Sequence, residues 1–242
     1  MKKRLDLLLV EREIFSSRTR AQVHILSGEV FVNHQKELVS SKLIDVNSSI
    51  DVKLLKDNFV SRGGIKLEKA LQVFNLRIEN STCLDIGAST GGFTDCLLRK
   101  NAEKVFSVDV GYGQLDFKLR NNPKVINLEK TNARYLTKVM IEDDIDLIVM
   151  DVSFISITKF DNFFSEFSSK RNAFIGLIKP QFELSRDKIG KNGIVREDKY
   201  RKEAVSKVTK FLQGFYSNVK TPIESPIKGA KGNTEYLIFC QN

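Results

Sequence analysis

Two positions along the chain carry an ionisable side chain at the end of an apolar run. Asp151 follows Leu147-Ile148-Val149-Met150, and Lys179 follows Phe174-Ile175-Gly176-Leu177-Ile178. Short, wholly apolar runs read as strands buried on both faces, and the residue after such a strand is delivered to the edge of the sheet. A lysine in that place is costly to desolvate without a partner, and Asp151 is the obvious one. Such a pair can orient a polar substrate or move a proton.

A second constellation precedes it. Asp85 and Ile86 end the run Cys83-Leu84-Asp85-Ile86, and Gly87-Ala88-Ser89-Thr90-Gly91-Gly92-Phe93 then turns into a helical segment. Glycines at 87, 91 and 92 predict close approach of the backbone to a ligand. Asp109 ends the next strand about 20 residues on, where a carboxylate can accept both hydrogens of a ribose diol. Two nucleotide cofactors fit this frame. A dinucleotide site prefers G-x-G-x-x-G with a pyrophosphate on the helix N-terminus. Here Ser89 stands in the motif's third position, and Asp85 would repel a pyrophosphate. A carboxylate there suits the cationic amino-acid end of S-adenosylmethionine instead, and the loop favours that methyl donor over a nicotinamide. Asp85, Gly87, Ala88, Ser89, Gly91, Gly92, Phe93, Asp109, Val110 and Asp151 are the candidate cofactor residues. Asn132 is added for the adenine edge, although asparagine after a strand is also ordinary turn chemistry. Asp151-Val152-Ser153-Phe154 lacks the Asn/Asp-Pro-Pro-aromatic sequence of enzymes that methylate exocyclic amines, and no cysteine nucleophile lies near it.

These residues need a sheet to hold them. Strands are expected at Thr82–Ile86, Val105–Val108, Val125–Asn127, Leu147–Met150, Phe174–Ile178 and Glu235–Cys240. Helices are expected from Ile65 to Phe74, after Gly92 and around Lys202–Gly214. That alternation predicts an α/β fold, a parallel doubly wound sheet with ligands at the carboxyl ends of its strands.

Residues 1–55 form a separate small α/β module. Leu5, Leu8 and Leu9 recur at helical spacing. Ser16 or Ser17 offers a cap for a second helix that Gly28 stops, and Val30–Asn33 and Ile50–Leu54 read as strands. Residues 56–62 are expected to be a linker with a hinge at Gly63-Gly64, followed by a domain over 63–242. The 242 residues carry 39 Lys and Arg against 30 Asp and Glu, a formal charge of +9 that favours a polyanionic partner. Three unpatterned cysteines and two histidines predict a reduced compartment and no metal site. The Leu7–Val10 run is far too short to span a membrane, so a cytoplasmic protein without stable membrane association is expected.

The first module resembles the small RNA-binding domain shared by a ribosomal small-subunit protein, many pseudouridine synthases and some tRNA synthetases. Arg4-Leu5-Asp6, Ser17-Arg18, Ala21-Gln22, Ile25, Gly28, Val30, Val32 and Asn33 carry the resemblance, which implies RNA contacts at Arg4, Arg18 and Arg20. The whole chain resembles the TlyA family, ribosomal-RNA 2′-O-methyltransferases related to FtsJ enzymes and often labelled hemolysins. Ser61–Leu67, Asp85–Phe93, Asp109–Gly111, Asp151–Phe154 and Lys179–Glu183 carry that match. It implies a Rossmann-like class I methyltransferase sheet and a Lys-Asp-Lys-Glu tetrad at Lys66, Asp151, Lys179 and Glu235. The implied partner is ribosomal RNA or a ribosomal subunit, methylated on cytidine riboses. Within that frame Lys179 is the candidate base and must be uncharged to act. Burial, the cation of Lys66 and the donor's sulfonium favour that state, and Asp151 opposes it and orients the lysine. Glu235 is expected to position Lys66 or the ribose. A purely structural ion network, a non-catalytic RNA-binding assembly factor and a membrane-lytic hemolysin are the alternatives.

Overall fold

The structure is a computed structural model and describes residues 2–15, 17–26, 28–52, 59–229 and 231–242. The chain divides into two compact units, 1–58 and 59–242. The proposed cap Ser16, the end of the strand expected at Ile50–Leu54, and positions 56–58 of the expected linker lie outside the described residues.

The first unit contains β1 (Lys2–Arg4), α1 (Leu5–Glu11), α2 (Arg18–Leu26), β2 (Val30–Val32), β3 (Gln35–Lys36), β4 (Leu43–Asp45) and β5 (Ile50–Val52). Leu5, Leu8 and Leu9 of α1 meet Ala21 and Ile25 of α2 over Val30 and Val32, a small closed core. Ser17 caps α2 by accepting the Arg20 amide, and Gly28 ends the turn after it at φ +73. The sheet pairs β3, β2 and β5. The β1–β4 ladder joins segments some forty residues apart and had no local signal in the sequence.

The second unit runs α3 (Gly63–Val73), β6 (Thr82–Ile86), α4 (Gly92–Arg99), β7 (Lys104–Val108), α5 (Phe117–Arg120), β8 (Val125–Leu128), β9 (Leu147–Met150) and α6 (Asp161–Phe167). It continues with β10 (Ala173–Ile178), α7 (Pro180–Glu183), α8 (Asp198–Leu212), β11 (Asn218–Val219), β12 (Ile223–Glu224) and β13 (Tyr236–Gln241). The strand order is β11-β13-β10-β9-β6-β7-β8, with β12 also on β13. β10, β9, β6, β7 and β8 are mutually parallel, whereas β13 lies antiparallel on β10. The sheet is therefore mixed, where local periodicity alone predicted a parallel one.

Alternate residues of each strand go to opposite layers, as the two-residue strand period demands. Leu147, Val149, Ile175, Leu177, Leu237 and Phe239 pack with α3 and α4. Ile148, Met150, Phe174, Ile178 and Ile238 face the other way, against Phe163, Phe164 and Phe167 of α6 and Val208 and Leu212 of α8. Gly63 and Gly64 are not a hinge: they open α3, and a Cβ on Gly64 would run into the Phe59 ring. What demands glycine there is packing.

Candidate active site

All five parallel strands end at one edge of the sheet, and antiparallel β13 begins there. Ile86, Val108, Leu128, Met150 and Ile178 lead at that edge to Gly87, Asp109, the 129–132 segment, Asp151 and Lys179. Glu235 stands immediately before β13, one position past the Ile178–Tyr236 pair. Lys66 reaches the same edge from the first turn of α3.

Four side chains form two ion pairs there. The Lys66 ammonium sits 2.6 Å from Glu235 Oε2 and donates to it, and Lys179 Nζ lies 2.6 Å from Asp151 Oδ1. Lys179 also donates to Ser153 Oγ at 2.7 Å. Both lysines are only 8% exposed. Burial of an ammonium is tolerable only with such partners. Because Glu235 neutralises Lys66 at contact distance, Lys66 does not act on Lys179 as a bare cation. The first of the two roles expected for Glu235 matches this geometry. Ser153 was missed in the sequence because a serine after a strand has no distinguishing pattern.

Beside the pairs lies a cavity of about 440 Å³ lined by Gly87, Ser89, Asp109, Val110, Asn132 and Asp151 among the expected residues. Gln114, Arg134, Ser153 and Phe154 also line it, with apolar walls from Ile86, Val108, Val152 and Ile155. Asp109 is fixed by the Ser89 amide (2.9 Å) and the Gly111 amide (2.7 Å). Each of its oxygens keeps a lone pair for a further donor. Asn132 spends its side-chain oxygen on the Arg134 amide at 3.1 Å, which is the turn chemistry that the sequence left open. Its amide nitrogen has no such commitment.

Ala88, Gly91, Gly92, Phe93 and Asp85 do not line the cavity. The glycine requirement in the loop comes from the protein itself. A Cβ on Gly87, which sits at φ +83, would lie 2.8 Å from the Asp151 carbonyl oxygen, and one on Gly92 would collide with Ser61 Oγ. The Asp85 carboxyl is fully buried behind the loop and accepts the Thr94 hydroxyl at 2.6 Å, while its other oxygen has no partner. Burial is the main cause that pushes its pKa up to about 7, with the Thr94 bond opposing and the charge of Asp151 adding.

An orphaned carboxyl oxygen buried behind the loop, an oriented carboxylate at a strand end and a cavity with apolar walls fit a nucleoside that carries a positive charge. S-adenosylmethionine is such a molecule. Asp109 would take its ribose, and Ile86, Val108 and Ile155 would flank its base. Asp85 and Asp151 would supply negative potential for its cationic end.

Arg4, Arg18 and Arg20 belong to the other unit. Arg4 forks onto Asp6 with bonds of 3.0 and 2.9 Å, and Arg18 Nε and Gln22 Nε2 reach the same carboxylate at 2.9 and 2.8 Å. Asp6 is fully buried, and above all the Arg4 bond holds its carboxyl well below the usual carboxylate range. Arg20 is exposed on the same helix start. Asp6 thus sets the direction of two of the three arginines.

Residues 59–242 match the family of FtsJ-like methyltransferases. Hemolysin A of Brachyspira hyodysenteriae is 45% identical over 97% of this chain and 98% of its own. The 16S/23S rRNA (cytidine-2′-O)-methyltransferase TlyA of Mycobacterium tuberculosis is 37% identical over 98% of this chain and 89% of its own. A solved structure of a hemolysin-named protein from Streptococcus thermophilus covers 100% of this chain and 89% of its own, with a TM-score of 0.77 and 38% identity. Family match, full-length relatives and fold agree: the chain belongs to the TlyA group of the FtsJ-like methyltransferase family.

Proposed function

We propose that the protein transfers the methyl group of S-adenosylmethionine to ribose 2′-hydroxyls of ribosomal RNA, on cytidines. Lys179 acts as the base. The observation that carries this reading is the pairing of the buried Lys179 ammonium with Asp151 and Ser153, two residues that line the cavity. When bound, the donor supplies an electrophilic methyl group on a sulfonium. The chain's own task is to raise the nucleophilicity of a ribose hydroxyl, which is weak until its proton begins to leave. Lys179 in its uncharged form accepts that proton. Asp151 and Ser153 hold its nitrogen in one place and stabilise the ammonium that results, which favours proton transfer but makes recharging the base harder. Lys66, paired with Glu235, keeps ammonium N–H groups at the next position along the edge, suited to donate to a ribose oxygen. Phe154 stands at the cavity rim with 90% of its surface exposed and its ring 5.1 Å from that of Phe182. It offers a face on which a base turned out of its stack can lie.

RNA approach is assigned to Arg4, Arg18 and Arg20, with the overall charge of +9 drawing in phosphate. A lytic activity would need membrane insertion, and among the described residues no helix is long and apolar enough to cross a membrane. The test is direct. Purified protein, labelled donor and unmethylated ribosomal subunits should yield label that survives digestion to nucleosides as 2′-O-methylcytidine. Label on a base, or none on any RNA or subunit, would refute the reading.

A further inference from the structure

Both partners of Lys179, the carboxylate of Asp151 in an ion pair and the Ser153 hydroxyl as acceptor, come from one irregular segment, residues 151–156 between β9 and the turn at Ile157–Lys159. The segment includes Phe154 at φ +65, a conformation that a bulky side chain adopts only under constraint. Something must hold it against Lys179. A carboxylate outside the tetrad is placed to do so.

Glu183 is 4% exposed. It accepts the Ser156 hydroxyl and, at 2.9 Å, the Ile157 amide. The Ser156 oxygen accepts the Thr158 amide at 3.1 Å in turn, so the carboxylate ties down the start of the turn that ends the segment. At its other end Glu183 is the last residue of α7, the single helical turn that Lys179 opens and that Pro180 begins. The Phe182 amide donates to the Lys179 carbonyl at 2.8 Å, which couples the two ends of that turn. From α8, Lys207 donates to the Glu183 carbonyl at 2.6 Å, with its ammonium 4.0 Å from the carboxylate. Burial outweighs these contacts and raises the pKa of Glu183. A buried carboxylate so arranged closes a ring. Lys179 meets Asp151 and Ser153 at one side, and Glu183 meets Ser156 and Ile157 at the other.

We propose that Glu183 is a positioning residue that braces the 151–156 segment so that Asp151 and Ser153 meet Lys179. The proposal rests on the reading of Lys179 as base. It touches neither substrate nor cofactor and works through the segment.

The experiment compares wild type, Glu183→Ala, Glu183→Gln and Lys179→Ala in methyl transfer to ribosomal subunits, with kcat followed from pH 6 to 10. Loss of the brace lets Asp151 drift from Lys179, so the lysine gives up its proton more readily. Glu183→Ala is expected to lower kcat about tenfold to a hundredfold, as expected for a misplaced base. The acid limb of its pH–rate profile should move to lower pH. Glu183→Gln keeps an oxygen for the Ile157 amide and an NH₂ for Ser156, and should stay within about threefold of wild type with an unmoved limb, since both brace contacts survive. Should Glu183→Ala not fold, Ser156→Ala removes one brace contact and should move the limb the same way by less. An unmoved limb in the folded variant, or full activity, overturns the proposal. Lys179→Ala separates the two readings. If it is inactive while the Glu183 variants keep the wild-type profile, only the brace falls; if it is fully active, the base assignment itself falls.

Discussion

At the scale of the residue, what matters is how each ionisable group at the strand ends is kept in a costly place. Lys66 and Lys179 are buried ammonium groups whose desolvation is offset by one carboxylate each. Asp85 is the opposite case: a carboxyl with one hydroxyl partner and an empty second oxygen, its pKa pushed up to about 7 by burial. The sign of the linkage follows. An unfolded aspartate titrates near 4, so between about pH 4 and 7 the folded state binds more protons and stability falls as pH rises. Asp85→Asn removes that dependence. Its melting temperature relative to wild type should be higher at pH 8 than at pH 4, measured on the donor-free protein. An equal difference at both pH values would show that Asp85 is charged in the folded state at pH 4 already. The residue types at these sites were legible because a charge at the end of an apolar run is conspicuous. Ser153 and Glu183 were not identified as anchors, because their partners Lys179 and Ser156 lie 26 and 27 residues away along the chain and no local pattern links them; Asp6 sits two residues from Arg4, but its bond to Arg18 spans 12.

At the scale of the element, the longer strands of the second unit were legible, five of them parallel as expected, and the antiparallel direction of β13 was not. Thr82–Ile86 and Leu147–Met150 coincide with β6 and β9 because apolar runs bounded by turn residues are local signals. The antiparallel placement of β13, which brings Glu235 to the edge, depends on a register with β10 that periodicity cannot express. The glycine pair at 63–64 was misread as a hinge for a related reason: the contact with Phe59 that excludes a side chain at 64 is tertiary. The 151–156 segment shows the cost of positioning. Phe154 at φ +65 is strained by about 1–3 kcal/mol. Phe154→Gly should therefore raise stability in urea by about 1 kcal/mol once the lost contact with Phe182 is counted, while activity toward ribosomal subunits falls. A variant both less stable and fully active would show that the ring serves packing and not the substrate.

At the scale of the whole molecule, two compact units share one chain, with an RNA-binding reading for one and chemistry for the other. A charge of +9 makes affinity for RNA depend on salt, and the slope of log affinity against log salt counts the phosphate contacts. Arg18 is half exposed and steered by Asp6. If it meets a phosphate, Arg18→Ala should weaken binding of ribosomal RNA and reduce that slope by about one, whatever the sequence of the RNA. An unchanged slope would remove Arg18 from the interface and leave Arg4 and Arg20 to carry it.

The proposed reaction turns on one nitrogen, Lys179 Nζ. Single-turnover transfer from saturating donor to ribosomal subunits, read as methyl on ribose, tests it in wild type and Lys179→Ala side by side. With donor affinity measured in parallel, the variant's rate is expected to be at least about a hundredfold lower, the scale of a lost general base, with donor binding within a few fold. Ribose methylation at the wild-type rate without the Lys179 side chain would contradict it.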